Sequence, residues 1–196
     1  MTISSVKTGA IGDSLLAGNA FFQPTSFESI ATATGTGSSG TITFSSIPST
    51  YASLQIRMLG KTATAAAGAD ALDITFNGDS GSNYVYHNIT GNGTIATAGA
   101  SSTSTTFIRI GSGAGRATET NICAVSIIDI HDYASTTRNK TMRRFGGFDK
   151  NGSGGVIVLN SGLWMSTSAI TSIEIASTGG NFTTQNVFSL YGIKGA

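Results

Sequence analysis

The chain has 196 residues, of which only 11% are charged, and its net charge at pH 7 is +1. This balance gives no case for nucleic acid or a membrane surface as a partner, and no apolar run reaches the ~18 residues of a membrane span. With 26 glycines, many Ser and Thr residues and only 2 prolines, the composition disfavours long exposed helices and favours many short strands joined by turns.

The N-terminal residues differ from the rest of the chain. Residues 1–24 show no period-two alternation and are interrupted by glycines, so we interpret them as an extended arm before a single domain at 25–196. The arm has no helix or strand period that would bury its apolar side chains within one subunit. We therefore expect it to anchor the protein on a neighbouring subunit or an underlying shell. The expected anchoring residues are Ile11, Leu15, Leu16, Phe21 and Phe22.

From residue 27 onward, about ten segments show the alternation or the short apolar runs of β-strands. Few stretches have a helical period, so we expect helix in less than about a tenth of the chain. The sequence thus predicts an all-β fold, an antiparallel β-sandwich of the jelly-roll type. The predicted strands are 27–34, 41–44, 53–59, 72–76, 105–110, 121–130, 141–148, 155–160, 170–175 and 186–194.

Two of these segments have special roles in the predicted sheets. Residues 121–130 form the most continuously apolar run, which predicts a central strand with Cys123 reduced in the core. The closing strand is apolar on both faces and must pair with neighbours on a sheet. The residues expected to be mostly buried are Leu54, Ile56, Ile74, Phe76, Val125, Ile127, Ile173, Ile175, Phe188 and Leu190.

Three short motifs resemble sites of known chemistry. Residues 12–15, Gly-Asp-Ser-Leu, are similar to an esterase nucleophile block, but no strand precedes the Ser and no His follows His131. Asp129 and His131 point to one side of a strand, which allows a metal ion but more often caps a turn. Residues 76–84 resemble a calcium loop without its glutamate, and we interpret them as a Gly-rich turn. We expect no catalytic residue, metal or cofactor.

Two groups of residues are candidates for contacts with a ligand or partner. The densest basic cluster is suited to an acidic partner surface or to sugar phosphates, although a solvated hairpin explains it equally well. Trp164 has apolar neighbours that favour the core, whereas an exposed Trp164 would stack on a sugar ring together with exposed tyrosines. The candidate contact residues are Trp164, Tyr84, Tyr86, Arg138, Lys140, Arg143 and Arg144.

Four sequence blocks occur in a characteristic order: FNGDSGSNY, IIDIHDYAS followed by NKTMRRFGGFD, SGLWMSTSAITSIEI, and the closing FSLYGIKG. Together they resemble small virion structural proteins of tailed bacteriophages, especially phages of aquatic bacteria. The resemblance runs from about residue 27 to residue 195. It implies a jelly-roll sandwich displayed on the particle, as a homotrimer, with the major capsid protein or tail proteins as partners. It brings no catalytic pattern.

Three functions follow as alternatives. The first is a decoration or cement protein of the phage head, and the second is a tail-appendage module that binds a receptor or a host-surface glycan. The third is an enzyme that degrades host polysaccharide, which needs two carboxylates ~5–9 Å apart in a cleft. With 10 acidic residues and no clustered Glu pair, the enzyme is the least favoured, and we expect the chain not to be one.

Overall fold

The computed structural model describes residues 26–101, 103–150 and 154–195. All regular structure in these residues is β-strand, with no helix among them, which confirms the predicted all-β class. The predicted arm, residues 1–24, lies outside the described residues. The same holds for the Gly-Asp-Ser-Leu block at 12–15 and for the five anchoring candidates, Ile11, Leu15, Leu16, Phe21 and Phe22.

Twelve strands are present in the described residues, and the predicted segments account for ten of them. Strands β5 and β6 were not predicted. In chain order the strands are β1 (Phe27–Thr34), β2 (Thr41–Phe44), β3 (Ser53–Gly60), β4 (Ala69–Phe76), β5 (Tyr84–Gly91), β6 (Ala96–Ala100), β7 (Ile108–Gly115), β8 (Ala124–His131), β9 (Lys140–Asp149), β10 (Gly155–Trp164), β11 (Ile173–Ser177) and β12 (Val187–Ile193).

The strands form two antiparallel sheets of unequal width. The large sheet has eight strands in the order β1-β12-β3-β8-β9-β10-β5-β6, and the small sheet has four in the order β2-β11-β4-β7. The C-terminal strand β12 pairs with both β1 and β3, and β8 is flanked by β3 and β9, so the central strand was predicted correctly. The sandwich is established by these sheets, whereas the jelly-roll connectivity remains a prediction.

One core lies between the two sheets. Every second residue of the strands points into it, as in Leu54 and Ile56 of β3 and Ile173 and Ile175 of β11, all with no exposed surface. Eight of the ten residues predicted to be buried lie in this core. Strand β7 lies across β8, β9 and β10. The approach to β9 is close at Gly115 of β7, where a side-chain carbon would lie 3.2 Å from the Phe148 ring.

The prediction was wrong for Val125 and Ile127, which are 51% and 43% exposed. Strand β8 is apolar on both faces, and its alternate residues Ser126 and Ile128 are the buried ones. Because side chains in a strand alternate between faces, burying one set exposes the other. Cys123, expected in the core, is only half-buried, just before β8.

Candidate functional site

The outer face of the large sheet carries a continuous group of exposed apolar side chains, which we call the outer patch. Its members are Leu59, Ile89, Val125, Ile127, Phe145, Ile157, Leu159 and Val187, each between 37% and 58% exposed. They come from six neighbouring strands, β12, β3, β8, β9, β10 and β5. Together they expose on the order of 700 Å² of apolar surface, above the few hundred Å² of an ordinary surface patch.

Strand register places the outer patch in two adjacent rows. The first row runs Val187, Leu59, Val125, Gly147, Ile157 and Gly91 across the paired strands. The second row runs Ser189, Arg57, Ile127, Phe145, Leu159 and Ile89. Side chains directly opposite each other on neighbouring strands are ~5 Å apart, so the apolar side chains within each row contact one another wherever no glycine lies between them.

A concavity of about 1360 Å³ lies over the outer patch. Its floor includes Gly91 and Gly147, where the first row has no side chain and the surface dips. Segment 121–123, with the half-buried Cys123, and the β9–β10 hairpin residues Asp149 and Lys150 form part of its lining. A concave apolar surface of this size is a candidate docking surface for a peptide segment.

A polar row borders the outer patch toward the other end of the strands. Arg57 lies over the rings of Phe27 and Tyr191, with its guanidinium carbon 5.6 Å from each centroid. Arg57 also donates to Gln55, and Gln55 donates to Asp129. At this border the outer patch gives way to polar side chains that contact one another, beside the 42% exposed ring of Phe27.

Asp129 and His131 are the pair for which a metal ion was considered and turn capping preferred. The Asp129 carboxylate accepts hydrogen bonds from Gln55 Nε2 at 2.9 Å and Arg143 Nε at 3.2 Å. Within the described ranges, no cluster of three or more His, Cys, Asp or Glu side chains is close enough to hold a metal ion. The carboxylate therefore serves as an ion-pair partner on the outer face.

The predicted basic cluster is divided between the surface and the core. Arg138 and Arg143 are exposed and form ion pairs with Asp132 and Asp129. Lys140 and Arg144 are buried, and burial lowers the pKa of both, that of Arg144 to about 10. Alternation along β9 sends neighbouring Arg143 and Arg144 to opposite faces. The four residues thus form no common basic surface.

Lys140 holds two loops together from inside the sandwich. Its ammonium donates to the backbone carbonyls of Ser135, Arg138 and Ser166, at 2.6, 2.7 and 3.3 Å. All three acceptors are backbone groups within this chain. Lys140 is therefore committed to internal contacts, and the partner contact that the sequence indicated for it is not supported.

The aromatic candidates are also mostly internal. Trp164 is 2% exposed and Tyr84 has no exposed surface, so the predicted core position of Trp164 is confirmed. Their rings stack with centroids 6.3 Å apart, and Trp164 Nε1 donates to Asp79 at 2.7 Å. Burial raises the pKa of Tyr84 to about 12. In this arrangement neither ring is open to a sugar, and Tyr86 is half-buried against the core.

Asp79 organises the turn at residues 77–83. Hydrogen bonds from Trp164, Asn83 and the Gly81 amide lower the pKa of its carboxyl. Asn77 and Gly78 adopt positive φ at the start of this turn. The segment is thus a turn held by its own side chains, as its Gly-rich sequence indicated.

The outer patch was not identified from the sequence, although a signal for it is present. Strand β10 reads Val156, Ile157, Val158, Leu159, with apolar residues on both faces. Only Val158 of these is fully buried. In β8 the same pattern of apolar residues on both faces was interpreted as a fully buried strand. Because only one face of the large sheet is covered, one set of these residues is exposed instead.

No helix in the described ranges is long and apolar enough to cross a membrane. Comparison of the chain with protein-family models, with curated proteins and with solved structures gave no significant match.

Proposed function

We propose that this chain is a structural protein of a bacteriophage virion, a decoration or cement protein displayed on the particle surface. The observation that carries the proposal is the outer patch, which exposes eight large apolar side chains on one sheet face. A surface of this kind fits a protein that functions as part of an assembly, because stable interfaces bury about 800 Å² on each partner. The ordered sequence blocks that resemble small virion proteins support a virion as that assembly.

The state of the carboxylates disfavours the polysaccharide-degrading enzyme. Six acidic residues of the described chain form ion pairs with Lys or Arg: Glu28, Asp70, Asp73, Glu119, Asp129 and Asp132. The pKa is lowered at Glu28, Asp70, Asp79 and Glu119. A glycosidase needs one carboxylic acid with a raised pKa to protonate the leaving group. We therefore propose a role without catalysis.

The second candidate, a tail-appendage module that binds a glycan, has weaker support. Its expected stacking platforms were Trp164 and the two tyrosines, and Trp164 and Tyr84 are core residues. The decoration role needs only a surface for contacts within the assembled particle, and the outer patch supplies one. In this role the chain sits in the virion as a homotrimer, with the major capsid protein as the nearest partner.

Immunogold labelling of intact phage particles tests the proposal. Antibodies raised against the purified chain are applied to particles of the phage that encodes it, with particles of a phage lacking the gene as control. We expect gold over the head. Gold confined to the tail would favour the tail-appendage alternative. Expression in infected cells without any label or band in purified particles would overturn the virion role.

A further inference from the structure

We infer that the outer patch binds the N-terminal segment, residues 10–22, of a neighbouring copy of the same chain. The inference rests on the proposed function, since it takes the protein as an assembly component and names the partner of the same surface. The patch is concave, apolar and lined on several sides, so it fits an apolar segment.

The chain itself supplies a segment of the matching chemistry. Residues 10–22 read AIGDSLLAGNAFF and contain one charged residue, Asp13. The concavity, of about 1360 Å³, is larger than the roughly 300–1,000 Å³ of an ordinary ligand cleft, as a chain segment requires. The large apolar side chains of the segment that would fill it are Ile11, Leu15, Leu16, Phe21 and Phe22.

The position of the first described residues favours a neighbouring subunit over the same one. The Ser26 carbonyl accepts a hydrogen bond from the Lys194 amide at 3.0 Å, so the chain still follows β12 at this point. Phe27 pairs with Ile193, whereas the first row of the outer patch lies level with Thr34, at the opposite end of β1. Traced backward along β1, the chain therefore runs away from the outer patch as far as Ser26, the first described residue.

Binding to its own patch would require the chain to reverse direction within residues 23–25, the three residues between the segment and Ser26. If the outer patch belongs to a neighbouring subunit beyond the Phe27 end of β1, the chain need not reverse direction. An arm that binds the next copy is a head-to-tail contact, and such contacts close into rings when the rotation permits. A three-membered ring is the homotrimer of the proposed function.

Full-length variants test this by size-exclusion chromatography with light scattering. The face variant carries Ile127→Lys and Phe145→Lys, at side chains 43% and 56% exposed. The arm variant carries Phe21→Asp and Phe22→Asp. The control is Ile95→Lys, since Ile95 is 60% exposed but outside the outer patch. We expect the wild type and the control to be oligomers and both test variants to be monomers with an unchanged β-type circular dichroism spectrum.

Mixing the two monomeric variants tests whether the arm of one copy binds the outer patch of another. The face variant retains its arm and the arm variant retains its face, so the mixture can form one arm-to-face contact. We expect a dimer in the mixture that neither variant forms alone. A monomeric wild type, an oligomer that survives either set of substitutions, or a mixture that stays monomeric would each overturn the inference.

Cys123 provides a direct probe, because it is the single cysteine and lines the concavity. Leu15, Leu16 and Phe21 are replaced by Cys one at a time, and the proteins are oxidised with copper phenanthroline. We expect disulfide-linked dimers and trimers on non-reducing gels, lost when Cys123→Ser is added. A fast-migrating monomer would indicate binding within one subunit, and no cross-linking at any position would indicate another site. Both results overturn the inference, while the virion role is tested separately by the immunogold labels.

Discussion

Arg144 Nη1 donates a hydrogen bond to Asn160 Oδ1 at 3.2 Å, between paired positions of β9 and β10 inside the sandwich. Arg144 is fully buried, and its other partners are the Ser126 hydroxyl and the carbonyls of Gly111 and Ser112. All four partners are uncharged. The amide nitrogen of Asn160 is the one buried side-chain polar atom of the described residues that has no hydrogen-bond partner.

Replacing Asn160 by Asp should stabilise the protein. The substitution removes the unpaired amide nitrogen and places a carboxylate where Arg144 already donates. Because Arg144 is already desolvated, the new charge pair should raise the free energy of unfolding by about 1–2 kcal/mol. Urea unfolding at pH 7 measures this. Asn92→Asp, in an exposed turn, controls for the added charge, and a loss of stability in Asn160→Asp alone would contradict the expectation.

Asp70 should make the fold sensitive to acid. Burial by itself would raise its pKa, but hydrogen bonds from Thr62, Thr64 and Arg116 outweigh burial and leave the pKa below its ordinary value of 3.8. A lowered folded-state pKa stabilises the fold fully above pH 3.8, and this contribution is lost as the pH falls through the folded value. The urea midpoint should therefore drop steeply below about pH 4.

The Asp70→Asn variant isolates this contribution. We expect it to lose about 2 kcal/mol at pH 7, because the buried Asp70 loses its ion pair with the partly exposed Arg116, and to show a flatter pH profile below pH 4. Asp132→Asn is the matched control, since its ion pair with Arg138 is largely exposed and should contribute less than about 0.5 kcal/mol. Equal effects of the two substitutions would show that Asp70 has no special role.

Adjacent glycines in β9 should respond very differently to alanine. A side-chain carbon on Gly146 would lie 2.5 Å from Arg144 Nη2 and 2.6 Å from the Val125 carbonyl, inside the sandwich. The nearest atom to one on Gly147 is the Val156 carbonyl at 3.1 Å, on the outer face. We expect Gly146→Ala to cost about 2–3 kcal/mol and Gly147→Ala less than about 1 kcal/mol. Thermal unfolding of the two variants checks this. A larger loss of stability for Gly147→Ala than for Gly146→Ala would contradict the assignment of Gly146 to the inner face of β9.

The single tryptophan reports directly on the second candidate function. Because Trp164 is 2% exposed, its native fluorescence should resist quenching by iodide and should shift to longer wavelength when the protein unfolds in urea. Host-surface polysaccharide should leave the native emission unchanged. The urea-unfolded chain is the control for accessible quenching. Strong quenching of the native protein, or a spectral shift with glycan, would place Trp164 at a binding surface after all.

The faces of the strands show how far the sequence could predict the core. Alternation in β3 and β11 correctly assigned Leu54, Ile56, Ile173 and Ile175 to the interior. In β8 the residues on both faces are apolar, so alternation could not say which set the small sheet covers. The two residues predicted wrongly, Val125 and Ile127, lie on the uncovered face, and the outer patch to which they belong was missed for the same reason.

Strand β6 shows a second limit. The segment Ala96–Ala100 has low β-propensity. It forms a strand because β5 offers it a hydrogen-bonding edge from His87 to Gly91. The burial of Arg144 and Trp164 depends similarly on partners distant in sequence, since Gly111 and Asp79 come from other strands and turns. Local pattern contains no information about such partners.

By itself, the sequence determined the all-β class, ten of the twelve strands of the described chain, the central position of β8 and the pairing of the closing strand. These properties follow from side-chain periodicity and turn residues, which act over a few neighbouring positions. Only the tertiary structure decided which face of each two-sided strand is covered. A four-stranded sheet covers the inner face of an eight-stranded one, and the outer patch is the apolar surface on the face it does not cover.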